Sequence, residues 1–156
     1  MGKKILVAFD DSENAMRAVE AISDFFTNDA RVTLFHVAMD TEALCKMNSP
    51  ELTPYFKSQQ STFCTMEDKK RELVEKAMQT AQTMLMEKGF SAEHIRLKYE
   101  FMEKGVARDI IKEADTGYDL VVIGRRGNSG VKEFFFGDTS QKVLSASKEV
   151  SVFIVN

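Results

Sequence analysis

The sequence predicts an α/β fold in which a five-stranded parallel sheet has helices on both faces. Short apolar segments typical of buried strands alternate along the chain with longer segments whose apolar residues recur at helical spacing. Regular alternation of these two kinds of segment is typical of parallel sheets joined by right-handed crossovers. The length of 156 residues fits a single domain over residues 1–156.

The strands are predicted from five apolar segments, Lys4–Phe9, Arg31–Val37, Ile95–Phe101, Leu120–Ile123 and Val150–Val155. The third segment alternates apolar with charged residues, which predicts a strand in an outer position. The last segment contains neither a charge nor a proline. At a sheet edge it would be an unprotected template for pairing, and a second copy of the chain would cover it in a symmetric homodimer.

Helices are predicted between these strands, over Glu13–Phe26, about Thr65–Lys88, about Val106–Ala114 and Thr139–Ser147. From about residue 38 to 63 no regular period is present, and Pro50 and Pro54 lie within the segment. We interpret it as a long loop that leaves the carboxyl end of the second strand. A lid over a ligand and a mobile insertion both fit such a loop.

Composition narrows the class of protein. The 21 Lys and Arg residues and 24 Asp and Glu residues give a net charge of -3 without a basic run, which argues against a nucleic-acid partner. No apolar segment has the length of a bilayer span, and the N-terminus lacks a signal-peptide pattern, so we expect a cytoplasmic protein with no membrane partner. Cys45 and Cys64 lack a Cys-x-x-Cys pattern and are interpreted as free thiols in a reducing compartment.

A glycine motif follows the fourth strand. Gly124, Gly127 and Gly137 have the spacing Gly-x2-Gly-x9-Gly, and the last predicted helix begins directly afterwards at Asp138-Thr139-Ser140. Glycines let a backbone approach an anion closely, and the N-terminus of a helix favours negative charge. Ligands of open α/β sheets bind at the carboxyl ends of strands, where this motif lies. The pattern therefore predicts a phosphate site, beside which Arg125 and Arg126 supply cations.

Three segments in this order carry a family resemblance: Ile5–Asp10 with Ser12, Leu34–Val37, and the glycine motif. Together, over nearly the whole chain, they resemble the universal stress protein family. The resemblance implies a Rossmann-like fold of the adenine nucleotide alpha hydrolase type and a homodimer formed through Val150–Val155. For the ATP-binding branch of the family it also implies an adenine nucleotide held between the first and fourth strands.

Carried over by position, the resemblance implies Asp10 near the adenosine and the Val37 backbone at the adenine edge. It implies phosphate contacts from Gly124, Gly127, Gly137 and Ser140. The chain departs from the family's ATP-binding motif directly after the third glycine, where Asp138 replaces a Ser or Thr. A carboxylate accepts hydrogen bonds but donates none, so Asp138 would repel phosphates.

Two arrangements would offset this repulsion. A magnesium ion could bridge Asp138 to phosphate oxygens, or Arg125 and Arg126 could pair with the phosphates or with Asp138. Asp138 also has capping-box spacing to Gln141, so its role could be limited to starting the helix. The sequence leaves these readings open.

Two further features bear on the ligand site and on partner binding. His36, alone in an apolar strand, is interpreted as a hydrogen-bonded structural residue without a catalytic role. Phe134, Phe135 and Phe136 cannot all face one core, so at least one is expected to meet a partner or cover the ligand.

The sequence thus predicts an ATP-binding module of the universal stress protein type, with magnesium, acting in stress response or signalling. No nucleophile with a paired base and no Walker-type lysine is present, so at most slow magnesium-dependent ATP hydrolysis is expected. A dimerisation or protein-interaction module of the same fold that binds no nucleotide is the leading alternative.

Overall fold

Parallel strands form the central sheet of the computed structural model, which describes residues 2–48, 50–125 and 138–156. Within these residues the sheet has five strands: β1 (Lys4–Ala8), β2 (Arg31–Ala38), β3 (Ile95–Phe101), β4 (Leu120–Gly124) and β5 (Ser151–Val155). Their order is β3-β2-β1-β4-β5, and every neighbouring pair is parallel. The predicted parallel α/β sheet is confirmed, and so is the outer position of the third strand.

The α-helices of the described residues are α1 (Glu13–Phe25), α2 (Glu42–Cys45), α3 (Pro54–Glu87), α4 (Val106–Ala114) and α5 (Asp138–Ala146), and a single 3₁₀ turn covers Ala92–His94. Side chains on the two faces of the sheet pack against different helices because successive residues of a strand alternate in direction. Ile5 and Val7 pack with α1 and α3 on one face, whereas Leu6 packs with α4 and α5 on the other.

The start of α3 differs from the sequence prediction. The helix begins at Pro54 instead of near Thr65, so α2 and the first turns of α3 occupy much of the segment interpreted as a long loop. Thr53 is the N-cap, and its hydroxyl accepts a hydrogen bond from the backbone N–H of Phe56 at 3.1 Å. Pro54 takes the first helical position, where the missing N–H costs no intrahelical bond. The proline read as a helix breaker therefore starts the helix.

The prediction of free thiols is wrong: Cys45 and Cys64 form a disulfide between α2 and α3. Because α3 begins early, it runs back beside α2 and brings the two Cα atoms to 5.8 Å, within the ordinary range for a disulfide. The Gln60 side-chain amide strengthens the same junction by donating hydrogen bonds to the carbonyls of Leu44 at 2.5 Å and Met47 at 2.9 Å.

Strand β5 lies at one edge of the sheet, paired through β4 alone within the described residues. Phe153 of this strand contacts Phe25 and Phe26 of the α1 end, with ring centroids 5.4 and 6.0 Å apart, and Phe25 is 69% exposed. Dimerisation through this strand stays a prediction.

Phe134, Phe135 and Phe136 lie outside the described residues. None of the helices in the described part of the chain has the length and apolar character needed to cross a membrane.

Candidate functional site

A cavity of about 400 Å³ opens at the carboxyl ends of β1, β2 and β4. The strand order changes direction between β1 and β4, and ligands of open α/β sheets bind at such a switch point. Of the residues predicted from the sequence, those that line the cavity are Asp10, Val37, Gly124, Asp138, Thr139 and Ser140. Their role in ligand binding stays a prediction. Arg126, Gly127 and Gly137 lie outside the described residues.

The β1 side of the cavity is a turn that leads directly into α1. Asp10 Oδ1 accepts a hydrogen bond from the backbone N–H of Ser12 at 2.8 Å. Ser12 is the N-cap of α1, and its Oγ accepts from the backbone N–H of Ala15 at 3.1 Å. Ser12 therefore caps α1, and the turn fixes the Asp10 carboxylate at the rim.

Gly124 ends β4 where the backbone passes very close to α1. A Cβ atom at this position would lie 3.0 Å from both Cβ and the carbonyl oxygen of Asn14, so a side chain would push α1 away. Ser140 Oγ donates a buried hydrogen bond of 2.7 Å to the Gly124 carbonyl. Because a hydroxyl has a single proton to donate, Ser140 would have to turn before it could donate to a phosphate.

Asp138 is the first described residue of α5. Its carboxylate pairs with Lys142 Nζ at 3.0 Å across one helical turn, and both side chains are largely exposed. The predicted partner Arg125 instead reaches Asn156, with Nη1 3.4 Å from Oδ1, and does not line the cavity. The acid next to the predicted phosphate site therefore has a cation of its own.

His36 is buried beneath the cavity on β2. Its Nδ1 donates a 2.8 Å hydrogen bond to the carbonyl of Phe9, which fixes the tautomer because a carbonyl only accepts. Burial lowers the pKa of His36, and the Phe9 bond and the charge of Asp10 oppose that effect. The ring is therefore neutral near pH 7, and the expected hydrogen-bonded structural role is the one its geometry supports.

The sequence did not indicate that α3 and α4 contribute residues to the walls of the cavity. Val106 and Ile110 of α4 form an apolar wall, and Lys70 of α3 contributes a cation from the opposite face of the sheet. The position of Lys70 in the cavity could not be predicted, because in sequence it is indistinguishable from other exposed lysines on a helix. Lys142 could have been found, since a residue four positions after Asp138 lies on the same helix face.

The described residues were also compared with the ligand sets that bind metal ions in proteins. No group of three or more His, Cys, Asp or Glu side chains within them is arranged to hold a metal ion. A magnesium ion beside Asp138 would therefore need phosphate oxygens as additional ligands.

The profile of the Universal stress protein family matches residues 1–156. The chain is 32% identical over 149 residues to the universal stress protein YxiE of Bacillus subtilis (strain 168), an alignment that spans 94% of this chain and 95% of that protein.

Solved structures show the same fold at lower identity. Hypothetical protein MJ0577 superposes with a TM-score of 0.71 at 23% identity, over 99% of this chain and 96% of that one. A universal stress protein solved in complex with cAMP superposes with a TM-score of 0.62 at 17% identity, over 99% of this chain and 97% of that one. By profile, by identity along its length and by fold, this chain belongs to the universal stress protein family.

Proposed function

We propose that this protein is a stress-related module that binds an adenine nucleotide, preferentially ATP accompanied by magnesium, in the cavity at the carboxyl ends of β1, β2 and β4. The observation that carries the proposal is the convergence of Asp10, Gly124 and the first turn of α5 on that one cavity. The fold neighbour solved with cAMP supports a ligand of this chemical class.

The geometry supports binding more than catalysis. The one histidine in the cavity uses Nδ1 in a structural hydrogen bond, and the Ser140 hydroxyl is bonded to a backbone carbonyl. Neither is a nucleophile with a paired base within the described residues. We therefore propose a binding or sensing role, with hydrolysis slow at most.

We also propose that the protein works as a homodimer paired through β5. The open edge of that strand and the exposed Phe25 beside it support this arrangement. Sedimentation velocity should give a species of twice the monomer mass, and a monomer at all accessible concentrations would contradict it.

Isothermal titration calorimetry with ATP, with and without magnesium, tests the proposed ligand. If Asp138 repels phosphates, Asp138→Ser should tighten binding by about 1 kcal/mol, a small gain because the carboxylate is exposed and already paired. If Asp138 instead holds magnesium, the same change should weaken binding, and only when magnesium is present.

Lys142→Met is the matched control because it leaves Asp138 in place and removes its partner. Under the repulsion account it should weaken ATP binding, opposite in sign to Asp138→Ser. A folded dimer that binds no ATP with either residue at position 138 would favour the alternative, a dimerisation or protein-interaction module of the same fold.

A further inference from the structure

The cavity receives a cation from outside the glycine motif. Lys70 lies on α3 one turn before Val74, the first buried residue of that helix, so the packing of Val74 fixes where the Lys70 backbone stands. Its side chain lines the main cavity together with His36 and Val37. It also lines a smaller adjoining hollow of about 90 Å³ between α3 and the ends of β2 and β3.

Three other described cations near the cavity have partners. Lys142 pairs with Asp138 at 3.0 Å, and Arg125 contacts Asn156. Arg71, next to Lys70 in the chain, pairs with Glu75 at 3.3 Å and lies 5.1 Å from the Tyr99 ring centroid. Within the described part of the chain, Lys70 alone among the residues lining the cavity carries a positive charge, and it forms no ion pair there.

The positive charge of Lys70 offsets negative charge in the lining of the cavity. The described lining contains the carboxylates of Asp10 and Asp138, which oppose the entry of an anion. An ammonium group is a compact charge with three hydrogen-bond donors on a flexible stem, a common partner of phosphate. Burial is the main cause of the lowered pKa of His36, and the charge of Lys70 acts in the same direction.

We propose that the Lys70 ammonium group binds a phosphate of the nucleotide, so that α3 contributes to the ligand site and selects phosphorylated nucleosides over free ones. The proposal rests on the nucleotide-binding function proposed above. It adds a residue that lies far from the glycine motif in sequence and on the opposite face of the sheet from α4 and α5.

Calorimetric titrations with ATP, AMP and adenosine test the proposal on the wild type and three variants. Lys70→Met should weaken ATP and AMP binding by about 10- to 100-fold, the scale of a lost hydrogen bond to a charged group, and leave adenosine binding unchanged. Lys70→Arg should retain most of the affinity. Lys69→Met is the matched control, because Lys69 is the exposed neighbour that does not line the cavity.

The outcomes separate the two proposals. Wild-type binding of ATP that Lys70→Met leaves unchanged would overturn the role of Lys70 while retaining the nucleotide site. An equal loss for adenosine and ATP would also overturn it, because the substitution would then act on cavity shape and not on phosphate. Failure of the folded wild type to bind any of the three ligands would overturn the nucleotide function itself. Thermal unfolding of each variant checks that the fold is intact.

Discussion

Reduction of the Cys45–Cys64 disulfide should loosen the outer part of α3 while leaving the sheet intact. The disulfide joins residues 19 apart in sequence. The entropy of closing a loop of that size in the open segment corresponds to about 3 kcal/mol in the chain-entropy model. That value is an upper limit, because Gln60 continues to hold α2 against α3 after reduction.

The effect should be local because burial in this region is uneven. The buried residues of α3 are Val74, Met78, Ala81 and Leu85, all in its second half, and α2 has none. A segment that buries so little can open without unfolding the core. Hydrogen exchange with and without a dithiol reductant should therefore show amides over 54–66 exchanging up to about 100-fold faster after reduction. Amides of β1 and β2 should exchange at an unchanged rate.

Two variants define the controls for this experiment. The double variant Cys45→Ser with Cys64→Ser should behave like the reduced wild type and should not respond to reductant. Gln60→Ala removes the amide contacts but keeps the disulfide, so it should give a smaller increase in exchange. Equal acceleration of segment and core amides would refute the reasoning, since α2 and outer α3 would then unfold only together with the sheet.

Two further predictions concern residues inside the cavity. Ser140→Ala should lower the free energy of unfolding by about 1–3 kcal/mol, because it leaves the buried Gly124 carbonyl without its donor. Urea titrations measure this change. An unchanged free energy of unfolding would mean that water replaces the hydroxyl. For His36, whose pKa burial lowers from 6.5, the unfolded chain binds more protons than the folded one between the lowered pKa and 6.5. The free energy of unfolding should therefore fall as pH drops through and below 6.5, and His36→Asn should reduce that slope in urea titrations, whereas equal slopes would contradict the assignment.

The sheet could be predicted from the sequence because apolar segments mark its strands, and for β3 and β4 the pattern also indicates the position in the sheet. Leu120–Ile123 is apolar throughout and lies inside the sheet, whereas the alternating Ile95–Phe101 lies at its edge. Such patterns depend only on the local sequence, so they can be recognised without knowing which strands lie next to each other. The start of α3 was missed because Pro54 has opposite meanings inside a helix and at its first position, and only the Thr53 cap distinguishes them.

The site was predictable only where local pattern and strand ends coincide. Asp10 follows β1 and Gly124 ends β4, so the topology of a parallel sheet places them at the same edge. The pairing of Cys45 with Cys64 and the place of Lys70 in the cavity both depend on how α3 packs against the rest of the protein, which local sequence patterns do not indicate. The Asp138–Lys142 pair follows from the spacing of four residues on one helix, whereas Arg125 is adjacent to the motif in sequence but pairs elsewhere.

Helix α3 divides along its length into a part that packs and a part that does not. Val74 to Leu85 hold the helix to the sheet, whereas the turns before them contribute no buried residue. Apart from Cys64 and Gln60, which hold α2, substitutions of exposed residues in those turns should therefore cost little folding free energy, and Lys70 near their end lines the cavity. Under the proposed role of Lys70, a few exposed residues of one helix would set the ligand preference, and they could change while the sheet and its core stay as they are.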